Sequence, residues 1–385
     1  MLENNQFSKF MKLNIESISF NSDKIAKDID RKNNPDLPSD PTIGFCPLAD
    51  VPDIIWKQSK LSADGKSGFK WGRRGDENPN HYADADSIGK EGKTLYDYCN
   101  SQDKMNVSVW RQYYDDVDEV NGVDKTTDEY KGLKEKRGIV CFRVWQIFNY
   151  MVSAANDGNA PEFIFAAGVL AHYVGDACQP LHSSYMSDGD PADNKIIDYT
   201  AKVTSKKKDG TFSHTAGDIY KKKINPGNGV HVAYEDKMID DYIDQIFPLI
   251  RGLIQQQQAN NEEKIINVDS GQAAAFAVLK LMQKTQATIP PKAIVEAFKA
   301  VHGKGNVSEA LYTQFGTKTA EVLSRGTRYL AAIWEAAWNC AKQNKIHVNT
   351  QVSTDDLIKL YSTPDELPSK HLETIEKEIS TTEPE

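Results

Sequence analysis

The sequence predicts an all-α fold: a single, mostly helical domain with an irregular N-terminal segment and long loop insertions. Three observations carry this expectation. Apolar residues recur at three- and four-residue spacing in several long segments, helix-starting and helix-breaking residues bracket those segments, and no convincing strand series or internal repeat is visible. With 385 residues, 39% of them hydrophobic and 9% aromatic, the chain can bury a large globular core.

In order along the chain, residues 1–92 read as irregular, with loop-like clusters "RKNNPDLPSDPTIG" and "RRGDENPN" and short helices expected over 7–18 and 53–60. The pattern turns helical from about residue 93. Over 137–152, Val140, Val144, Ile147, Phe148 and Met151 mark one buried helix face. Asn159-Ala160-Pro161 restarts a helix, with proline suited to the first turn, and Phe163, Ala167, Leu170 and Val174 form its core stripe. Residues 183–230 are a long polar insertion with lysine clusters at 206–208 and 221–223, and a connection of that length is functional or mobile. Periodicity resumes over 232–257, 271–284 and 291–300, then over 308–343 with Leu323, Leu330, Ile333, Trp334, Ala337 and Trp338 apolar. This divides the chain into a segment 1–44, a helical body 45–345 and a C-terminal extension 346–385 whose acidic tail, from Pro368, is expected to fray.

The bulk chemistry excludes several classes. The longest apolar run, "FIFAAGVLA", is far shorter than the roughly 20 residues that cross a bilayer. A net charge of −9 gives no general attraction to nucleic acid or anionic lipid, although local attraction of a polyanion stays open. The five cysteines are odd in number, widely spaced and without a CxxC pair, which argues against a disulfide framework and a cysteine zinc knuckle. Nothing in the chain suggests an obligate protein partner. The opening residues carry no charged-then-apolar leader, so either a cytoplasmic protein or one relieved of its leader is expected.

The chemistry-bearing residues gather in a few stretches. In "LAHYVGDACQPLH", His172 and Asp176 lie four apart on one helix face, Pro180 breaks the helix, and the turn beyond it carries His182. Alone, such a pair is more often a capped or hydrogen-bonded couple than a pair of metal ligands. "GVHVAYED" repeats the spacing with His231 and Glu235 at the start of the next strong helix. "NPNHYADAD" holds His81 with Asp84 and Asp86 after it, and "ADVPDIIWK" supplies Asp50 and Asp53. Imidazole and carboxylate donors without sulfur suit zinc. "HTAGD", His214 to Asp218, is a rival ligand pair that lies inside the polar insertion and reads also as an exposed loop pair. Cys178, on a different helix face from Asp176, reads as a buried inert thiol.

Together "HYVGDACQPLH", "GVHVAYED" and "NPNHYADAD" resemble the superfamily of zinc-dependent phospholipases C and single-strand-specific zinc nucleases, over about residues 45–340 and including "RGTRYLAAIWEAAW". The resemblance implies an all-α fold with a trinuclear zinc centre that hydrolyses phosphodiesters, in proteins that are typically secreted. It implies one zinc on Asp53 (or Asp50), His81, His172 and Asp176, a second on His182, His231 and Glu235, and Asp176 as the bridging catalytic ligand beside a metal-activated water. A complete member grips its third zinc with an N-terminal tryptophan and a nearby histidine. Here no histidine precedes His81 and the first tryptophan is Trp56. Two zincs and weakened hydrolysis are therefore expected. Nuclease activity on single-stranded nucleic acid is the preferred expectation. Phospholipase C action on phospholipid head groups, and a weakened, zinc-stabilised binding protein, are its alternatives.

Overall fold

In the computed structural model, residues 6–19, 46–57, 74–200, 205–206, 212–260 and 267–381 are described. The first loop cluster and residues 58–60 of the second expected helix lie outside them. Within them the fold is mainly α-helical.

Ten helices build the frame: α1 (Gln6–Ile18), α2 (Val107–Val120), α3 (Val140–Asp157), α4 (Ala160–Asp176), α5 (Ile239–Asn260), α6 (Gly271–Thr288), α7 (Pro291–Val301), α8 (Val307–Cys340), α9 (Thr354–Ser362) and α10 (Ile375–Thr381). Their ends follow local chemistry. Gly158 closes α3 in the left-handed conformation that glycine adopts at no steric cost, and Asn159 caps α4 by accepting from the Glu162 N–H. Ser270 and Asn306 cap α6 and α8 in the same way. The long α8 is the hub, packing against α3, α4, α5, α6 and α7. Among the described residues, no helix is long and apolar enough to cross a membrane.

The core has two parts. The larger joins α1, α3, α4, α6, α8, α9 and α10, with Phe7 and Phe10 each in ring contact with Phe163 and Trp338. The smaller gathers Leu181, Val230, Tyr234, Ile294, Phe298, Leu311 and Phe315. The segment 176–182 runs from one into the other, since Ala177 and Cys178 belong to the first and Leu181 to the second.

Three features depart from the sequence reading. The polar insertion forms ribbons: β1 (Lys195–Thr200) pairs antiparallel with β4 (Ile219–Ile224), and β2 (Ser205–Lys206) with β3 (Phe212–His214). "KIIDYT" and "IYKKKI" are β-prone, but neither strand packs a buried face on the body, so no inside–outside alternation marks them. The second departure is the acidic tail, whose described part, to residue 381, packs on the body with Leu372, Ile375 and Ile379 buried. The third is the N-terminal segment, whose helix α1 is part of the main core.

Candidate metal centre

Two wide helical turns, one long helix and three short turns deliver the ligand candidates, with His231 on the short turn Val230–Val232. Asp53 sits on the wide turn Pro52–Lys57 and Glu235 on the wide turn Ala233–Met238, the single-turn π form that recurs at functional sites. His172 and Asp176 end α4, His182 rides the turn Pro180–Ser183, and His81 closes the turn Asn78–His81. The chain comes unusually close at α4: a Cβ on Gly168 would lie 2.2 Å from Leu48 Cβ, so only glycine lets the turn Leu48–Asp50 approach this helix. That approach brings the Ala49 carbonyl to His172.

The donors converge as two groups, Asp53–His81–His172 and His182–His231–Glu235, each with ligand atoms within 4.8 Å of one another. In the first, His81 Nδ1 lies 3.0 Å from His172 Nε2, 3.0 Å from Asp176 Oδ2 and 3.7 Å from Asp53 Oδ1. In the second, His231 Nε2 lies 2.7 Å from Glu235 Oε2 and 3.2 Å from His182 Nε2, which is itself 3.2 Å from Glu235 Oε2. Asp176 stands between them, with Oδ2 3.4 Å from His172 Nε2 and Oδ1 3.5 Å from His182 Nδ1.

Backbone carbonyls fix which nitrogens are bare. A carbonyl only accepts, so His172 Nδ1, 2.8 Å from Ala49 O, carries a hydrogen, as does His182 Nδ1, 2.8 Å from His81 O. In neutral rings both Nε2 atoms are then lone pairs, and they point at carboxylate oxygens and at each other's partner imidazoles. Facing lone pairs repel unless a proton or a cation lies between them. The donor set and its fixed tautomers therefore fit a divalent cation.

With protons in that place, the charges lock together. Burial opposes the imidazolium of His81, but the Asp176 and Glu77 carboxylates outweigh it and lift its pKa to about 9. The same contest, with Asp176 and Glu235 prevailing over burial, lifts His182 to about 10. Asp176, despite burial, is drawn down to about 2 by His172, His182 and His81, and Glu235 falls well below its usual value for the same kind of reason.

Every expected ligand is thus brought to the site. Between Asp50 and Asp53, the structure places Asp53 in the group. The rival pair is placed elsewhere: His214 ends β3 in the ribbon, and Asp218 is exposed, its Oδ2 accepting from the Thr215 N–H. The Cys178 thiol donates to Val174 O at 3.3 Å and burial pushes its pKa up to about 12, the behaviour of an inert thiol.

One buried carboxylate escapes the sequence reading. Glu77 is fully buried, and its Oε1 accepts from the Tyr173 hydroxyl at 2.5 Å and faces His81 Nε2 at 3.2 Å. The signal was present as Glu77-x-x-x-His81, the same four-residue spacing, in a stretch that reads as a loop.

Two cavities open onto these groups. One of ≈540 Å³ is lined by His81, His182 and His231 with Tyr82, Asp84 and Tyr185; one of ≈290 Å³ is lined by His172, Asp176, Gln179 and Glu235. Ser184 and Ser187 also border the larger one, and the Ser184 hydroxyl donates to Asp86 Oδ2 at 2.7 Å. The hydroxyls of Ser183, Ser184 and Ser369 donate to a carbonyl or a carboxylate and not to an imidazole.

The chain is similar to a probable serine protease of Bradyrhizobium tropiciagri, with 33% identity across 96% of this chain. It spans about half of that relative, 46% of its length. No family model matches the chain, and no solved structure matches it. The relative overturns the expectation of a zinc-dependent phosphodiesterase, in both its nuclease and its phospholipase C forms, because its name is that of a peptide hydrolase. The physical reason for the error is that ligand spacing specifies which cation is held and says little about the bond a metal site cleaves.

Proposed function

We propose that this chain is a metal-dependent hydrolase whose substrates are peptide bonds, on a helical scaffold of the type to which its histidine motifs are similar. The observation that carries the metal reading is the convergence of bare imidazole nitrogens and carboxylates into two adjoining groups. The peptide bond as substrate class comes from the relative's name.

Asp53, His81, His172 and Asp176 in one group, and His182, His231 and Glu235 in the other, would hold zinc, which would supply Lewis acidity toward a carbonyl oxygen and lower the pKa of a water toward about 7. Asp176, with an oxygen turned to each group, keeps the two at a fixed separation. The larger cavity admits an extended chain beside His81, His182 and His231, and its rings Tyr82 and Tyr185 offer apolar contact to side chains. Lys57, 3.1 Å from Asp53 Oδ1, holds that partly exposed carboxylate toward His81.

The test is hydrolysis of casein and of fluorogenic peptides by the zinc-loaded protein, with a chelator and a serine-directed fluorophosphonate as separate arms. Loss of activity with the chelator, recovery with zinc and indifference to the fluorophosphonate are expected. Activity that survives the chelator and is blocked by the fluorophosphonate would replace the metal reading with a serine nucleophile.

A further inference from the structure

The C-terminal extension reaches the metal centre from behind. Four of its backbone carbonyls are taken by side chains that surround the site. Arg74 donates to Glu366 O at 2.8 Å and Leu367 O at 2.5 Å, and Arg143 donates to Leu367 O at 3.1 Å and Pro368 O at 2.9 Å. Gln146 adds a bond to Pro368 O at 3.0 Å, and Asn80, next to His81 in sequence, donates to Lys370 O at 2.9 Å. Arg74 is braced by stacking on Trp56, with its guanidinium carbon 3.6 Å from the ring centroid. Between these clamps Leu367 takes φ +48°, a left-handed conformation that side chains other than glycine avoid and that persists only when the surroundings impose it.

The clamped stretch delivers one polar side chain inward: the buried Ser369 hydroxyl donates to Glu77 Oε2. Glu77 then has a hydrogen bond on each oxygen, Oε2 from Ser369 and Oε1 from Tyr173, and Oε1 also lies 3.2 Å from His81 Nε2 without the alignment of a hydrogen bond. A buried negative charge 3.2 Å from Nε2 favours the imidazole hydrogen on that nitrogen and a bare Nδ1, the atom directed at His172, Asp176 and Asp53.

We propose that residues 366–370 form a strap that completes the first metal group, with Ser369 as a positioning residue acting through Glu77 on His81. The inference rests on the metal reading above. It also assigns an asymmetry, because the second group, His182–His231–Glu235, has no contact with the strap among the described residues.

The experiment compares Ser369→Ala, Ser369→Thr and Glu77→Gln in the full chain. Zinc affinity is resolved into two classes by chelator competition, and exchange of the His81 Nε2–H proton is followed by NMR in zinc-free protein. Ser369→Ala is expected to weaken the first class about 10-fold, within the range for lost outer partners of a ligating histidine, and to leave the second unchanged. It should also speed Nε2–H exchange. Ser369→Thr, which keeps the hydroxyl, should restore both, and Glu77→Gln should exceed Ser369→Ala. Equal weakening of both classes, or unaltered affinity and exchange, would overturn the strap. A wild-type chain that takes up no zinc would sink the metal reading, while the exchange measurement would still decide the Ser369–Glu77–His81 linkage.

Discussion

His182 and His231 meet Nε2 to Nε2 at 3.2 Å, and both nitrogens face the same oxygen of Glu235. Two imidazoles and a carboxylate aimed at one point should take up one cation, and the Asp53–His81–His172 group should take up another. Protein purified without chelator should therefore carry two zincs per chain by native mass spectrometry. His231→Ala should carry one. Retention of both zincs by that variant would remove His231 from the site.

Asp53, with a side chain 41% exposed, is the outermost member of its group. Asp53→Asn should weaken zinc binding at that group by at least several-fold, with little loss of melting temperature, since no buried charge is stranded. Asp50→Asn should leave the affinity unchanged. The reverse ranking, in the same chelator competition, would reassign the ligand to Asp50.

In zinc-free protein, pH should act through the raised histidines and the lowered carboxylates. His81 at about 9 and His182 at about 10 stand above the usual 6.5, so their stabilisation is complete below about 6.5 and is lost as pH rises through 9 to 10. Asp176 and Glu77, both held at about 2, stabilise above the normal carboxylate range and lose that effect as pH falls through about 2. The melting temperature of chelated protein should peak at roughly pH 5–6.5 and fall on the alkaline side. Zinc should flatten the alkaline limb, because the cation takes the place of the protons. Parallel limbs with and without zinc would contradict this.

Gly168→Ala should destabilise the chain by about 1–3 kcal/mol, the usual cost of overpacking. The new methyl would meet Leu48 Cβ and force apart α4 and the turn that carries Ala49. Urea denaturation reads the stability and zinc titration reads the displaced carbonyl behind His172. A substitution neutral in both would show that the close approach is dispensable.

The long helices were legible because burial on one side imposes a period. Residues 271–284 and 291–300 correspond to α6 and α7 within a few residues, and 308–343 to α8. The His172–Asp176 and His231–Glu235 pairs were legible for a related reason, since four-residue spacing on a helix fixes a shared face. Glu77 and Ser369 were not, because their meeting joins positions 292 residues apart and leaves no periodic trace in either segment. The ribbons escaped too: a two-stranded sheet wetted on both sides needs no alternation. What bond the site cleaves was least legible, since the same donors serve several substrates.

The side chain of Asn14 on α1 donates to Thr350 O at 3.0 Å and accepts from the Val352 N–H at 2.9 Å, closing loops of 336 and 338 residues. During synthesis the first helix therefore leaves the ribosome long before the backbone that secures it. At about 5–20 residues per second, the interval is on the order of tens of seconds. Through that interval Phe7 and Phe10 lack the Trp338 surface they later bury against, so a nascent chain stalled short of α8 should display them to any hydrophobic probe or holdase.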